Sequence, residues 1–237
     1  EYVKKIFKKN IFHHYFLYIK ILWKRFFQIL KSKKYNSIII QRCLFPLYPN
    51  YKTPFFEKIL RTLSNNIILD IWDPVHIWNP ELTFTTFDYV DKISVNVLEL
   101  KDVYKKHKDI NDIHLWPISV NPKLYNKKEN YKIEGKIKLF YTGNGGNVEM
   151  YLQPLISVLE KTNEIIPLEL HVISLKKVKS ETISIFNYNW DQETLKKLIS
   201  NSDYGIYPNF NNQKNFTVAG KVLDYMTTGL PIIGADY

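Results

Sequence analysis

The sequence contains one cysteine, Cys43, and no long run of apolar residues. A single cysteine excludes an internal disulfide and any metal site built from several cysteine ligands, and it is consistent with a reducing compartment. No run approaches the ~18–20 apolar residues of a membrane-spanning helix, and no secretory signal peptide is recognisable. The adjacent His13 and His14 have no further ligand at metal spacing, so we expect no metal site there.

Basic residues outnumber acidic ones in this chain. There are 33 Lys and Arg residues against 23 Asp and Glu residues, which gives a formal net charge of +10. An excess of this size fits an anionic partner, such as a nucleotide diphosphate, an anionic lipid surface or nucleic acid, and it also fits a simply solvated surface. No nucleic-acid recognition motif accompanies the charge, so we do not expect nucleic acid as a partner.

The chain of 237 residues is long enough for two domains, since domains commonly hold about 100–150 residues. Strand-like apolar runs alternate with helical patterns in both halves, which indicates an α/β fold with parallel sheets. The segment 123–136 is rich in lysine and asparagine and is typical of a linker. We therefore predict one domain over residues 1–130 and a second over residues 131–237.

The first 34 residues have a helical pattern of large apolar side chains flanked by lysines. Two interpretations remain open. The helix can be the crossover helix that packs against the first sheet, or it can be a basic amphipathic helix that lies on an anionic membrane. The apolar residues that recur at three-to-four spacing are Phe16, Ile19, Trp23, Phe26, Phe27 and Leu30.

Two carboxylates and a histidine cluster near the end of a predicted strand over residues 66–74. Asp70 and Asp73 lie where ligands of open α/β sheets collect, and His76 follows on the same loop. Carboxylates in this position can orient an acceptor hydroxyl or bind a cation. The alternative is a plain turn, since Asp73 precedes Pro74. Asp73 and His76 are our candidate catalytic residues.

A glycine loop opens the second half of the chain. A predicted strand over residues 137–142 runs into Gly143, Asn144, Gly145 and Gly146, and a helix is predicted from Asn147. Glycines permit positive φ and close backbone approach to a ligand. Strand, glycine loop and helix together form the arrangement that cradles phosphate.

A short helix is predicted near the end of the chain, starting at Gly220 and stopping at Gly229, where the chain needs positive φ. Lys221 and Asp224 lie in its first turns. A helix N-terminus suits a phosphate, and a carboxylate one turn in can accept hydrogen bonds from ribose hydroxyls. The alternative is a surface helix with a solvated lysine and aspartate.

These motifs resemble the donor site of family-4-type glycosyltransferases, which have the GT-B fold of two Rossmann-like domains facing a cleft. The resemblance is strong over residues 137–237 and weaker over residues 35–136. The similar motifs are Asp203-x-Gly205-Ile206-x-Pro208, then Lys221-Val222-Leu223-Asp224-Tyr225-Met226, then Gly229-Leu230-Pro231-Ile232-Ile233.

The resemblance implies a bacterial transferase of cell-envelope polysaccharide biosynthesis. It would move a sugar from a nucleotide sugar to a glycan or lipid-linked acceptor, with retention of configuration and without a metal or cofactor. It further implies a cytoplasmic protein that can contact the inner face of the membrane peripherally. Asp224 would bind the ribose. The expected donor-binding residues also include residues 143–146 and a second group: Lys214, Phe216, Thr217, Val218, Ala219, Gly220 and Lys221.

Two positions depart from the family pattern. Asn144 stands where many relatives have Arg, and Phe216 stands where a Glu often faces the sugar. The alternative is therefore a non-catalytic nucleotide- or glycan-binding relative. A nicotinamide-dependent oxidoreductase would need an acidic residue at the end of the next strand, which ends near Ser174 without one. By comparison with the family, we expect both ends of the sequence to be truncated.

Overall fold

The structure is a computed structural model that describes residues 11–44, 52–208 and 220–234, with side chains from Phe16 onward. The described residues form two compact units, which divide between Pro117 and Ile118. Each unit is built on its own parallel sheet. The predicted α/β class with parallel sheets is confirmed.

The first unit holds four parallel strands in sequential order, β1-β2-β3-β4. Apolar residues dominate these short strands because both faces of a parallel sheet are covered. The described strands are β1 (Ile38–Gln41), β2 (Ile67–Ile71), β3 (Lys92–Val95) and β4 (Ile113–Leu115). The helices are α1 (Ile11–Lys31), α2 (Phe55–Leu63), α3 (Val75–Trp78), α4 (Pro80–Thr86) and α5 (Leu98–Tyr104).

Helix α1 packs onto the core of the first unit, as the crossover interpretation predicts. Of the predicted apolar set, Phe26 alone packs against the core, and it does so together with Leu22 and Ile29. The other members of that set are exposed: Phe16, Ile19, Trp23, Phe27 and Leu30. The cause is that α1 has two adjacent apolar stripes, and only one of them can face the core. Among the described residues, no helix is long and apolar enough to cross a membrane.

The second unit holds five parallel strands in the order β7-β6-β5-β8-β9. The strands are β5 (Ile137–Thr142), β6 (Leu168–Ile173), β7 (Ser184–Tyr188), β8 (Tyr204–Tyr207) and β9 (Ile232–Gly234). The helical segments are α6 (Gly145–Asn147), a π turn (Val148–Leu152), α7 (Gln153–Asn163), α8 (Gln192–Asn201) and α9 (Gly220–Thr228).

The order of these strands reverses direction between β5 and β8. From β5 the chain winds outward through β6 to β7, and it then returns to the other side of β5 to form β8 and β9. In open α/β sheets, ligands bind beyond the carboxyl ends of the strands at such a switch point. The glycine loop follows β5, and α9 comes after β8, so both segments belong to this region.

The core beside the switch point is formed by aromatic side chains. Tyr225 of α9 is fully buried, and its ring meets Phe140 of β5 edge-on at 5.8 Å between ring centroids. A Cβ added to Gly205 of β8 would lie 2.5 Å from the Tyr225 ring. Glycine at position 205 therefore lets α9 approach the sheet closely.

The segment between Ile118 and the start of β5 belongs to the second unit. The division of the chain therefore lies earlier than the predicted boundary at residue 130. The physical reason is a set of hydrogen bonds to this unit. The Lys128 amide donates to the Thr228 carbonyl at 2.7 Å, and the Lys128 ammonium donates to the Ser202 carbonyl at 2.7 Å.

Candidate functional site

The glycine loop begins one residue after β5, where the Gly143 amide donates to the Ile173 carbonyl at 3.1 Å. The helical conformation starts at Gly145, two residues before the predicted start. Asn144 is the N-cap residue, and its side-chain oxygen accepts from the Asn147 amide at 2.8 Å. A capping asparagine holds the loop in one conformation while its neighbours' amides point out of the helix end.

Gly143 occupies a position that has no room for a side chain. A Cβ built there would lie 2.6 Å from the Tyr141 hydroxyl and 3.0 Å from the Lys221 ammonium. The two segments at the switch point therefore meet at Gly143, which brings the lysine of α9 against the loop that follows β5.

Lys221 is the cation of this site. Its ammonium nitrogen lies 3.5 Å from the Tyr141 hydroxyl oxygen and 4.7 Å from the centroid of the Tyr141 ring. Burial lowers the pKa of Lys221 to about 8, because desolvation penalises the charged form. Burial also raises the pKa of the Tyr141 phenol above its ordinary value, so Tyr141 stays neutral. A partly buried cation beside glycine amides is suited to bind an anion such as phosphate.

Asp224 lies one turn further along α9 and is held by a tyrosine from the start of the second unit. The Tyr125 hydroxyl donates to the Asp224 carboxylate at 2.8 Å. Burial raises the pKa of Asp224, and the hydrogen bond from Tyr125 opposes that rise. Burial and the Asp224 carboxylate together raise the pKa of Tyr125 to about 12. Tyr125 therefore orients the carboxylate that is predicted to bind the ribose.

We expect Tyr125→Phe to raise the pKa of Asp224, because the variant loses the hydrogen bond that stabilises the carboxylate. The measurement is a carboxyl NMR titration, with the Asp224 signal assigned by its loss in Asp224→Asn. Tyr131→Phe is the matched control, since the Tyr131 hydroxyl donates to the Gly229 carbonyl at 3.0 Å instead. An unchanged Asp224 titration in Tyr125→Phe would contradict the assigned role of Tyr125.

Of the remaining predicted donor-binding residues, only Gly220 lies within the described part of the chain. It is the first residue of α9. The others lie outside the described residues and stay predictions: Lys214, Phe216, Thr217, Val218 and Ala219. The residues at positions 143–146, Lys221 and Asp224 lie on segments that flank the switch point.

In the first unit, Asp73 is bound by an arginine from the end of the neighbouring strand. The Arg42 guanidinium forms an ion pair with the Asp73 carboxylate. Arg42 has φ of +65° and is the one non-glycine residue with positive φ in the described part of the chain. Such a conformation is costly for a residue with a Cβ and is often found at functional sites. Asp70, by contrast, lies within β2 and accepts a hydrogen bond from Ser94 of β3.

His76 packs against aromatic side chains of the first unit. Its Nδ1 lies 3.0 Å from the Tyr104 hydroxyl oxygen, and its ring lies near that of Phe84. Burial lowers the pKa of His76, so the neutral imidazole is favoured at neutral pH. Within the described residues, no group of three or more His, Cys, Asp or Glu side chains could hold a metal ion.

Two site residues were not predicted from the sequence to contact the site: Tyr125 and Tyr141. Tyr125 lies 99 positions before its partner Asp224, so no local pattern connects the two. Tyr141 belongs to a buried strand and looked like an ordinary core residue. For Arg42, by contrast, the sequence does indicate a position near a ligand crevice, since it is a charged residue at the carboxyl end of an apolar strand.

No protein-family model matches this sequence, and a comparison with curated proteins finds no match either. Solved structures do share its fold. The lipopolysaccharide outer core galactosyltransferase WaaB in its apo form matches with a TM-score of 0.56 and 13% identity, over 92% of this chain and 61% of that chain. Sucrose-phosphate synthase from Thermosynechococcus elongatus matches with a TM-score of 0.57 and 13% identity, over 88% of this chain and 58% of that one.

A third structure of the same fold is the pneumococcal O-GlcNAc transferase GtfA in complex with UDP and GlcNAc. It matches with a TM-score of 0.56 and 13% identity, over 90% of this chain and 45% of that one. The chain therefore spans between 45% and 61% of the lengths of these three proteins. All three are GT-B glycosyltransferases, and the likeness shows that this chain has the GT-B type of fold.

Proposed function

We propose that this protein is a glycosyltransferase that moves a sugar from a nucleotide sugar to a glycan or lipid-linked acceptor. In this proposal it belongs to the family-4 type, acts in the cytoplasm and serves bacterial cell-envelope polysaccharide synthesis. Three glycosyltransferases share its fold, and one of them was solved with UDP. At such low sequence identity, these structures support the proposal only because they share its fold. The main support for the proposal is therefore the arrangement of residues in the candidate site.

The observation that carries the proposal is the meeting of Lys221 and Gly143 at the switch point, with Asp224 one turn away. The ammonium supplies positive charge beside the amides of the glycine loop, which suits a diphosphate. The carboxylate is held by Tyr125 at 2.8 Å and suits the hydroxyls of a ribose. Together these groups match the two chemically distinct parts of a nucleoside diphosphate.

The same groups are placed to assist departure of the nucleotide. When the bond between the anomeric carbon and the diphosphate breaks, negative charge grows on the leaving phosphate oxygen. Amide N–H groups and the Lys221 ammonium stabilise that charge without needing to reorganise. In this scheme Asp224 holds the nucleoside in place, and the binding energy of the ribose positions the reacting bond.

The first test is calorimetric titration of the full chain with UDP, GDP, ADP and NAD. The proposal predicts that one nucleoside diphosphate binds more tightly than NAD. A preference for NAD would overturn the transferase in favour of a nicotinamide-dependent oxidoreductase. Absence of heat with all four nucleotides would also overturn it, and a non-catalytic relative would then be the better account.

The stereochemistry and the metal requirement are tested separately. With a nucleotide sugar of the preferred base, NMR of the freshly formed product is expected to show the anomeric configuration of the donor. Addition of EDTA is expected to leave the rate unchanged. Inversion of configuration would contradict the retaining mechanism, and loss of activity in EDTA would contradict the metal-independent one.

A further inference from the structure

Helix α1 exposes a stripe of large apolar side chains although it is already packed against a core. We define the exposed stripe as Phe16, Trp23, Phe27 and Leu30, whose spacings of seven, four and three residues place them on one helix face. Phe16 is 68% exposed, and Trp23 is 58% exposed. The rings of Trp23 and Phe27 stack at 6.0 Å between centroids, so the stripe has a continuous aromatic centre.

A row of lysines lies beside the exposed stripe on the side away from the core. Taking roughly 100° per residue, Lys20, Lys24 and Lys31 lie about 70° round the helix from the stripe, whereas the core-facing residues lie about 100° round on the other side. All three lysines are exposed. Helix α1 therefore presents three parallel bands, which are in order core-facing, exposed apolar and basic.

The positive charge of the whole protein is concentrated in this part of the sequence. Residues 2–56 contain 12 of the 33 basic residues and none of the 23 acidic residues. The rest of the chain has 21 basic and 23 acidic residues, so it is close to neutral. The net charge of +10 thus belongs to the segment that contains the exposed stripe, rather than to a generally basic surface.

We infer that the exposed stripe of α1 and its lysine row form a docking surface for an anionic lipid bilayer. The aromatic and aliphatic side chains enter the boundary between headgroups and acyl chains, with the helix lying in the plane of the membrane. The lysines stay at the level of the headgroups and pair with their negative charge. This surface lies within the first unit and is independent of the proposed donor site.

A second copy of the chain is a less suitable occupant of this surface. Two stripes packed face to face in an antiparallel pair would bring the lysine rows of both copies to the same side of the interface and close to each other. Residues 2–56 offer no Asp or Glu to compensate this repulsion, and like charges at short range oppose association. An anionic bilayer can contact the exposed stripe and the lysine row at the same time, because its acyl chains are apolar and its headgroups carry negative charge.

The test is co-flotation of the full chain with vesicles of phosphatidylcholine and phosphatidylglycerol, compared with pure phosphatidylcholine. Binding is expected to the anionic vesicles and to fall as salt is raised. The double variant Trp23→Ser/Phe27→Ser removes the apolar centre, and Lys20→Glu/Lys24→Glu reverses two charges of the row. Each double variant is expected to lower the bound fraction by about tenfold or more.

Two control variants show whether vesicle binding depends on this surface or only on the number of exposed aromatic and basic residues in the protein. Trp190→Ser removes a tryptophan that is 63% exposed on the second unit. Lys92→Glu/Lys106→Glu makes the same change of net charge at exposed positions outside α1. Both controls are expected to bind vesicles like the unchanged protein. Circular dichroism melting of each variant checks that the fold is retained.

Three results would overturn the inference. One is equal binding to neutral and anionic vesicles. Another is equal loss of binding in the control variants and in the α1 variants. The third is a dimer, detected by light scattering, that dissociates in the variant Trp23→Ser/Phe27→Ser, while the unchanged protein does not bind vesicles. The exposed stripe would then be an interface between two copies of the chain.

Discussion

Replacing Asp224 with alanine is expected to weaken binding of the preferred nucleoside diphosphate by roughly ten- to hundredfold, the usual effect of losing hydrogen bonds to a charged group. The carboxylate is already oriented by the Tyr125 hydroxyl, so the variant loses a preformed contact for the ribose. Titration calorimetry measures the change directly.

Two further variants show whether the loss of affinity is specific to the Asp224 carboxylate. Asp224→Asn keeps the shape of the side chain and removes its charge, so it is expected to retain part of the affinity. Asp102→Ala removes an exposed carboxylate from α5, and it is expected to bind as the unchanged protein does. Equal affinities for the unchanged protein and Asp224→Ala would exclude Asp224 as the ribose ligand.

Replacing Lys221 with methionine is expected to weaken nucleoside diphosphate binding by roughly ten- to hundredfold at neutral pH, since the diphosphate loses the partly buried cation beside it. The unchanged protein should show a pH dependence of its own. Burial lowers the pKa of Lys221 to about 8, so the ammonium is present below that pH and is lost as the pH rises through it. Affinity is therefore expected to fall between pH ~7 and pH ~9.

The variant Lys221→Arg tests whether the pH dependence of binding comes from deprotonation of Lys221. A guanidinium stays protonated over the whole range, so Lys221→Arg is expected to bind with little change between neutral and alkaline pH. Calorimetric titrations of the three proteins across that range measure the effect. A fall in affinity of the same size in Lys221→Arg would assign the pH dependence to another group and remove Lys221 from the account.

The local structure of the second unit could be predicted well from its sequence. The buried run Ile137–Thr142 forms β5, because a parallel strand covered on both faces is apolar throughout. The end of α9 could be predicted from Gly229, which has φ of +77°, since glycine adopts that conformation without strain. These features depend on near neighbours in the chain, and near neighbours are visible in a single sequence.

Contacts between distant segments could not be predicted in the same way. The hydrogen bond from Tyr125 to Asp224 joins a supposed linker to the last described helix, and only the fold brings them together. The choice of the core-facing stripe on α1 is a second example. Periodicity shows that both stripes are apolar, but the sheet and α2 decide which one is buried.

The roles of individual residues depend on both kinds of information. The resemblance selected Lys221 and Asp224, and the fold places them beside the glycine loop at the switch point. The sequence also selected Asp73 and His76, but the structure gives them an ion pair with Arg42 and a contact with Tyr104. Their proposed part in catalysis stays a prediction, because ordinary structural roles account for the same contacts.

A crystal structure of the full chain with its preferred nucleoside diphosphate tests the central claim most directly. We expect diphosphate oxygens within hydrogen-bonding distance of the amides of residues 144–146 and of the Lys221 ammonium, with a ribose hydroxyl on the Asp224 carboxylate. A nucleotide bound in the first unit, or at the amino ends of the strands of the second unit, would contradict it.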